Sequence, residues 1–86
     1  MTCEVFVLYF AKSSEITGIR SETINLPKEI TSQQIWEKLV HLHPRLSAIK
    51  DQVVLAVRQE YVPISDELLN LRSGDEIAVI PPISGG

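Results

Sequence analysis

The sequence contains very little cysteine: Cys3 is the only one among 86 residues. A single cysteine excludes a disulfide within the chain and a zinc site built from several cysteines. No histidine, lysine or arginine stands beside Cys3 in the sequence to activate a thiolate nucleophile. We therefore expect Cys3 to lie at a frayed chain start and to have no catalytic role.

Long hydrophobic runs and basic clusters are also missing. The longest apolar run, Val5 to Ala11, is far shorter than the roughly 20 residues that cross a bilayer. The start, Met1 to Glu4, has no basic segment and does not read as a signal peptide, so we expect a cytosolic protein without membrane contact. The net charge is −3, with 8 basic and 11 acidic side chains spread along the chain. This balance argues against a nucleic-acid partner and suits a basic protein surface.

The patterns of a self-contained enzyme are absent as well. The sequence has no phosphate-binding loop and no nucleophile–base pair. His41 and His43 are two residues apart and would point to different sides of a helix, which disfavours a shared metal. The acidic pairs Asp66–Glu67 and Asp75–Glu76 are expected to be solvated turn residues. We expect a chain that is not an enzyme on its own and that binds no cofactor or metal by itself.

What the sequence does contain is a set of strand-length apolar segments. Val5–Phe10 and Glu76–Ile80 are apolar at both parities, which predicts strands buried on both faces and paired with each other, the first one central. Ser21–Leu26 alternates and predicts a half-buried strand that Pro27 closes. Val53–Val57 predicts a further strand, and Tyr61-Val62 a short edge piece.

One helix and one polar loop complete the pattern. Thr31 and Gln34 fit a capping box at a helix start, apolar residues follow at helical spacing, and Pro44 ends the helix near His43. The polar stretch Lys12–Arg20 is expected to be a loop. The order of elements predicts an α+β fold of the ubiquitin-like β-grasp type, with a mixed sheet of four or five strands over residues 1–80.

Residues 81–86, with the sequence PPISGG, are the unusual part. Two prolines cannot continue a strand ladder and favour extended backbone, so six residues could reach about 20 Å from the domain. Gly85 and Gly86 lack a Cβ and could pass through a narrow channel. We expect a flexible, extended tail that inserts into a partner through Pro81, Pro82, Ile83, Ser84, Gly85 and Gly86.

Three segments carry a specific resemblance. Val7–Lys12 (VLYFAK), Leu71–Ala78 (LRSGDEIA) and the PPISGG end resemble the small, sulfur-carrying subunits of molybdopterin synthases. Arg20–Ile24, Ala56–Val62 and the uninterrupted PPISGG are similar to the animal members of that family. The resemblance extends along essentially the whole chain.

The resemblance implies a chemistry at the C-terminal carboxylate of Gly86. An E1-like activating enzyme would use ATP to adenylate Gly86, and a sulfurtransferase step would convert it to a thiocarboxylate. The tail would then enter the large synthase subunit, in a heterotetramer of two small and two large subunits. There it would give sulfur to cyclic pyranopterin monophosphate (precursor Z) to form the molybdopterin dithiolene, with the catalytic side chains on the large subunit.

The same resemblance suggests contact residues and leaves alternatives open. By position, Phe10 and Ile80 correspond to apolar docking residues, although ordinary core is the other interpretation. Arg58 could pair with an acidic site on a partner or simply be an exposed strand-end arginine. A ubiquitin-like modifier that forms isopeptide bonds, or a carrier for thiamin or tRNA thiolation, would share the fold and the Gly-Gly end. The Pro-Pro-Ile-Ser segment and Phe10–Lys12 favour the molybdopterin branch.

Overall fold

The computed structural model describes residues 1–81. Its strands are β1 (Thr2–Tyr9), β2 (Ser21–Pro27), β3 (Glu29–Thr31), β4 (Val54–Val57), β5 (Glu60–Val62), β6 (Leu68–Asn70) and β7 (Glu76–Ile80). Its helices are α1 (Lys12–Thr17) and α2 (Ser32–Leu42), and a 3₁₀ segment, Pro44–Gln52, follows α2. The tail residues 82–86 lie outside the described residues.

Five strands form one mixed sheet in the order β2-β1-β7-β4-β5. The first and last of its strands in the chain, β1 and β7, are parallel, whereas the pairs β1–β2, β7–β4 and β4–β5 are antiparallel. The α+β class, the mixed sheet, the central β1 and its pairing with the last strand are thereby confirmed. The short strand predicted at Tyr61-Val62 is β5, and it lies at an edge as expected.

The prediction that β1 is buried on both faces is wrong. Its side chains alternate: Cys3, Val5, Val7 and Tyr9 are buried, whereas Phe6 is 43% exposed. Strand β7 was predicted to be buried on both faces as well, and this is also wrong, because only Ile77 and Val79 are buried there. The sheet buries one face against α2 and the 3₁₀ segment, and its other face is left exposed. Cys3 is likewise not at a frayed start, because it lies in β1 opposite Leu26 and is 3% exposed. In β1, the apolar residues at alternate positions form one face that belongs to the core and one apolar face that is exposed.

Helix α2 covers the buried face and begins where the sequence predicts. The Thr31 hydroxyl accepts from the Gln34 backbone N–H at 3.0 Å, and the Gln34 side chain accepts from the Thr31 N–H at 3.0 Å. This capping box satisfies two donors that the helix start would otherwise leave unpaired. Three α2 side chains enter the core, namely Ile35, Trp36 and Leu39.

The short helix α1, the small second sheet and the 3₁₀ segment Pro44–Gln52 were not predicted. The segment Lys12–Arg20 contains the six-residue helix α1, whose sequence KSSEIT has no apolar periodicity to announce it. It ends at Gly18, which has φ +77°, the left-handed conformation that glycine adopts without strain. The small sheet of β3 and β6 was also missed, because three-residue strands are too short to show alternation.

Ala11, between β1 and α1, has φ 51° and ψ −127°, a conformation that side chains with a Cβ rarely adopt. We expect Ala11→Gly to raise the free energy of unfolding by about 1 kcal/mol, because relief of backbone strain exceeds the added entropy of the unfolded chain. Urea unfolding would measure the change. Ala78→Gly in strand β7 is the control and should lower the free energy of unfolding. If Ala11→Gly lowered it by as much, the backbone at Ala11 would not be strained.

Candidate functional site

The tail begins at the end of a central strand. Strand β7 ends at Ile80, which pairs with Val54 of β4, and half-buried Pro81 follows it. The predicted roles of Pro82, Ile83, Ser84, Gly85 and Gly86 lie outside the described residues and stay predictions. The described part of the chain therefore fixes where the tail originates, and the surface around that origin is the candidate site.

An apolar groove lies on the exposed face of the sheet at this position. Pairing aligns Leu8 with Ala78, Ala78 with Ala56, and Ala56 with Tyr61, so that two methyl groups stand between two large side chains. This difference in size makes the row concave. The open-face groove, as we call it, has a volume of about 310 Å³, and its apolar and aromatic lining is Leu8, Phe10, Ala56, Tyr61, Ala78 and Ile80.

The structure brings the two predicted apolar docking residues together. Phe10 follows β1 and Ile80 ends the neighbouring β7, and both line the open-face groove. The Phe10 backbone N–H donates to the Val79 carbonyl at 3.2 Å, which ties the two strand ends together. Phe10 is 48% exposed, so it is not an ordinary core residue. An aromatic side chain left half-exposed beside the tail's origin is typical of a contact residue.

Arg58 already has an acidic partner in its own chain. Its Nη1 donates to Asp75 Oδ2 at 2.5 Å and to the Asn70 carbonyl at 3.2 Å. The Asp75 carboxylate also accepts from the Arg72 N–H at 2.8 Å, and its side chain is only 10% exposed. Asp75 is therefore not the solvated turn residue that the sequence suggested. Arg58 links the β4–β5 turn to the segment before β7, and its predicted contact with a partner stays a prediction.

The β4–β5 turn itself was not predicted. Arg58 and Gln59 have φ of 52° and 70°, so both central residues of this two-residue hairpin are left-handed. Such turns usually contain asparagine or glycine, and Arg-Gln gives no such signal. The turn directs β5 back along the sheet and places Tyr61 at the far side of the open-face groove.

A polar cluster on the buried side of the sheet was also missed. The Tyr9 hydroxyl donates to Glu22 Oε2 at 2.6 Å, and His43 Nε2 lies 2.6 Å from the same oxygen. The Tyr9 and His43 rings meet edge to face with centroids 5.6 Å apart. Burial of the phenol, followed by the hydrogen bond and charge of Glu22, raises the pKa of Tyr9 far above its usual value. The cluster ties the end of α2 to β1 and β2.

Stability should fall as pH rises above about 10, the ordinary pKa of tyrosine. The folded chain keeps the Tyr9 proton to higher pH than the unfolded chain does, so deprotonation favours unfolding there. Tyr9→Phe should flatten this alkaline decline, measured by urea unfolding at a series of pH values. Tyr61→Phe changes a tyrosine that is 75% exposed and should leave the decline in place. An equally steep decline in Tyr9→Phe would contradict the assignment.

Across residues 1–81, no three His, Cys, Asp or Glu side chains gather as metal ligands would. Cys3 is buried, and His43 is engaged with Glu22 while His41 is exposed. None of the helices described is both long and apolar enough to cross a bilayer.

Comparison with known proteins adds to this geometry. The model of the ThiS family matches residues 7–86. The chain is 61% identical over 84 residues to the human molybdopterin synthase sulfur carrier subunit, covering 98% of this chain and 96% of the human protein.

Two solved structures share the fold. A putative molybdopterin converting factor, subunit 1, from Pyrococcus furiosus has a TM-score of 0.77 at 29% identity, and the match covers 94% of this chain and 99% of that one. Small archaeal modifier protein 1 from Haloferax volcanii has a TM-score of 0.78 at 22% identity, with the same coverage. The second likeness shows the fold alone. Together the neighbours confirm the ubiquitin-like β-grasp architecture.

Proposed function

Because the chain belongs to the ThiS family, we propose that it is the sulfur carrier subunit of a molybdopterin synthase. The observation that carries this proposal is the 61% sequence identity with the human sulfur carrier subunit, which extends over 98% of this chain. The Pyrococcus neighbour is described as subunit 1 of a converting factor, which supports a function shared with a second subunit. The catalytic side chains then belong to that second, large subunit.

The chemistry of the proposal takes place at the carboxylate of Gly86. A carboxylate is a poor acyl donor because its leaving group would be oxide or hydroxide. Attack of the Gly86 carboxylate on the α-phosphorus of ATP expels pyrophosphate and gives an acyl adenylate. Hydrosulfide, or a donor that supplies sulfur at the same oxidation level, then displaces AMP, and the product is a thiocarboxylate. ATP is thus consumed at the activating enzyme, and this chain holds no nucleotide of its own.

Delivery to the acceptor requires the tail to enter the large subunit. We propose that the sulfur of the Gly86 thiocarboxylate bonds to a carbon of cyclic pyranopterin monophosphate there and displaces an oxygen substituent of that carbon. Water then cleaves the bond between the Gly86 acyl group and the sulfur, which leaves a thiolate on the pterin and a carboxylate on Gly86. Two sulfur atoms complete the dithiolene of molybdopterin. The proposed assembly contains two small and two large subunits, and we place it in the cytosol.

The open-face groove supports this mode of use. It lies beside the strand end from which the tail leaves, and Phe10 and Ile80 line it. A partner that covers the groove would hold the domain close to the channel that receives the tail. Docking and delivery would then depend on adjacent parts of one surface, which limits the conformational entropy lost when the tail is ordered.

Intact-mass spectrometry tests the activation step. The chain is incubated with ATP, a sulfur source and the cognate E1-like activating enzyme, and fragment ions locate the change. The proposal predicts a mass gain equal to the difference between sulfur and oxygen, confined to Gly86. Omission of ATP is the control and should leave the mass unchanged. Adding the large subunit and cyclic pyranopterin monophosphate should reverse the gain.

The same experiment separates the carrier from a modifier. A modifier would keep its adenylate only until a lysine of another protein attacked it, and the chain would then appear in isopeptide-linked conjugates. The archaeal modifier neighbour supports the fold alone and does not favour this function. Conjugates without a thiocarboxylate would overturn the proposed sulfur chemistry.

A further inference from the structure

Ser13 has a side chain that neither the fold nor the tail chemistry accounts for. It lies in α1 and is fully buried, with 0% exposure. Its hydroxyl oxygen is 2.7 Å from the Phe10 carbonyl oxygen and 3.2 Å from the Val79 carbonyl oxygen, so its one proton is shared between the two carbonyls, with the shorter contact to Phe10. One side chain therefore touches the residue that carries the exposed ring and the residue that precedes Ile80.

The two carbonyls do not need this hydroxyl in order to be paired. The Phe10 carbonyl also accepts from the Ser13 backbone N–H at 3.1 Å, and the Val79 carbonyl accepts from the Phe10 N–H at 3.2 Å. Loss of the hydroxyl would leave no buried carbonyl without a donor, so the large penalty for an unsatisfied group does not apply. What the hydroxyl adds is a second connection between the ends of β1 and β7.

The backbone around Ser13 makes that connection useful. Ala11, which separates Phe10 from α1, is in a strained conformation with φ 51°, and strain of this kind persists only where neighbouring contacts hold it. We infer that Ser13 is a positioning residue, which holds Phe10 against the Val79–Ile80 strand end so that the open-face groove is ready for its partner. The inference rests on the proposed function, because the partner is the large synthase subunit.

The chain offers a matched control in Ser32. It is the other fully buried serine among the described residues, also at 0% exposure. Its hydroxyl oxygen is 2.8 Å from the Pro63 carbonyl oxygen and 3.1 Å from the Ser65 carbonyl oxygen, so its one proton is likewise shared between two carbonyls, and it also accepts from the Ser65 N–H at 2.8 Å. It stands at the start of α2 and does not line the open-face groove. Ser32→Ala thus removes a buried bridging hydroxyl away from the site, and it is the more severe change for stability because the Ser65 N–H also loses its acceptor.

The first test compares affinity for the large subunit. The full chain and its Ser13→Ala and Ser32→Ala variants are titrated into purified large subunit by calorimetry, and folded fractions are checked by urea unfolding. Ser13→Ala should weaken binding to the large subunit about tenfold, which is the order expected from one lost positioning hydrogen bond. Ser32→Ala should keep an affinity within about twofold of that of the unchanged chain. Ser13→Cys, which keeps the side-chain size with a weaker donor, replaces the alanine variant if that fails to fold.

A double-mutant cycle with Phe10→Ala then asks whether Ser13 acts through Phe10. The binding losses of Ser13→Ala and Phe10→Ala should be strongly non-additive, whereas those of Ser32→Ala and Phe10→Ala should add. A purely structural serine would give additive losses in both cycles. Equal affinities of the two serine variants, or additivity with Phe10→Ala, overturns the positioning role.

Amide hydrogen exchange supplies a readout that needs no partner. The Phe10 N–H, bonded to Val79, should exchange faster in Ser13→Ala than in Ser32→Ala at equal global stability. Unchanged exchange at Phe10 overturns the inference and leaves the proposed function intact. Faster exchange together with a wild-type chain that does not bind the large subunit overturns the proposed function, and the docking role of Ser13 with it.

Discussion

A chain that lacks Gly86 should deliver sulfur at least about 100-fold more slowly than the full chain, because misplacement of a reacting group by even about 1 Å can cost that much. Deletion leaves Gly85 as the terminal residue, so a carboxylate is still present. Its position is withdrawn by one residue, which is about 3.5 Å of extended chain. Molybdopterin formed per unit time by the reconstituted system measures the loss.

The controls for this deletion address fold and composition separately. Ser84→Ala keeps the tail length and both glycines and should retain most of the rate. The urea midpoint of the deletion variant should match that of the full chain, because residue 86 lies beyond the last strand, which ends at Ile80. A deletion variant that delivers sulfur at the full rate would show that the reacting group is not at the end of residue 86.

Replacing Phe10 by alanine should weaken binding to the large subunit by about 2 kcal/mol, or roughly 30-fold, as for a central aromatic contact. The ring is 48% exposed in the free chain and lines the open-face groove beside Ile80. Its loss should therefore change the free energy of unfolding by only about 0.5 kcal/mol, as is usual for surface substitutions. Calorimetric titration and urea unfolding measure the two quantities.

Leu68→Ala is the matched control for this substitution. Leu68 is 56% exposed, so its replacement by alanine removes a comparable area of exposed apolar surface. Leu68 belongs to β6 of the small sheet and does not line the groove. Leu68→Ala should leave the affinity for the large subunit within about twofold of that of the unchanged chain. Equal losses in both variants would mean that general surface hydrophobicity, and not the groove, determines binding.

Much of the fold could be predicted because its signals are local. The capping box of Thr31 and Gln34, the stop at Pro44 and the alternation of Ser21–Leu26 each depend on a few neighbouring residues, and the structure has all three. The strand β1 shows where this reasoning ends. Apolar residues at both parities cannot distinguish a strand covered on both sides from one that presents an apolar face to a partner.

The site was predicted in outline and missed in detail for a related reason. Phe10 and Ile80 could be named by position, but their meeting in one groove depends on the parallel pairing of β1 with β7 across most of the chain. The engagement of Arg58 with Asp75, the bridging hydroxyl of Ser13 and the Tyr9–Glu22–His43 cluster depend on contacts between distant segments. No pattern within a short stretch of sequence predicts such contacts.

The most direct test of sulfur carriage by this chain follows one sulfur atom from Gly86 to the product. The chain is prepared with a heavy isotope of sulfur in its Gly86 thiocarboxylate and is mixed, in a single turnover, with large subunit and cyclic pyranopterin monophosphate. The isotope should appear in the dithiolene of the product while Gly86 returns to a carboxylate, with one sulfur transferred for each chain consumed. A dithiolene without the isotope, or a thiocarboxylate that survives while product accumulates, would contradict sulfur carriage by this chain.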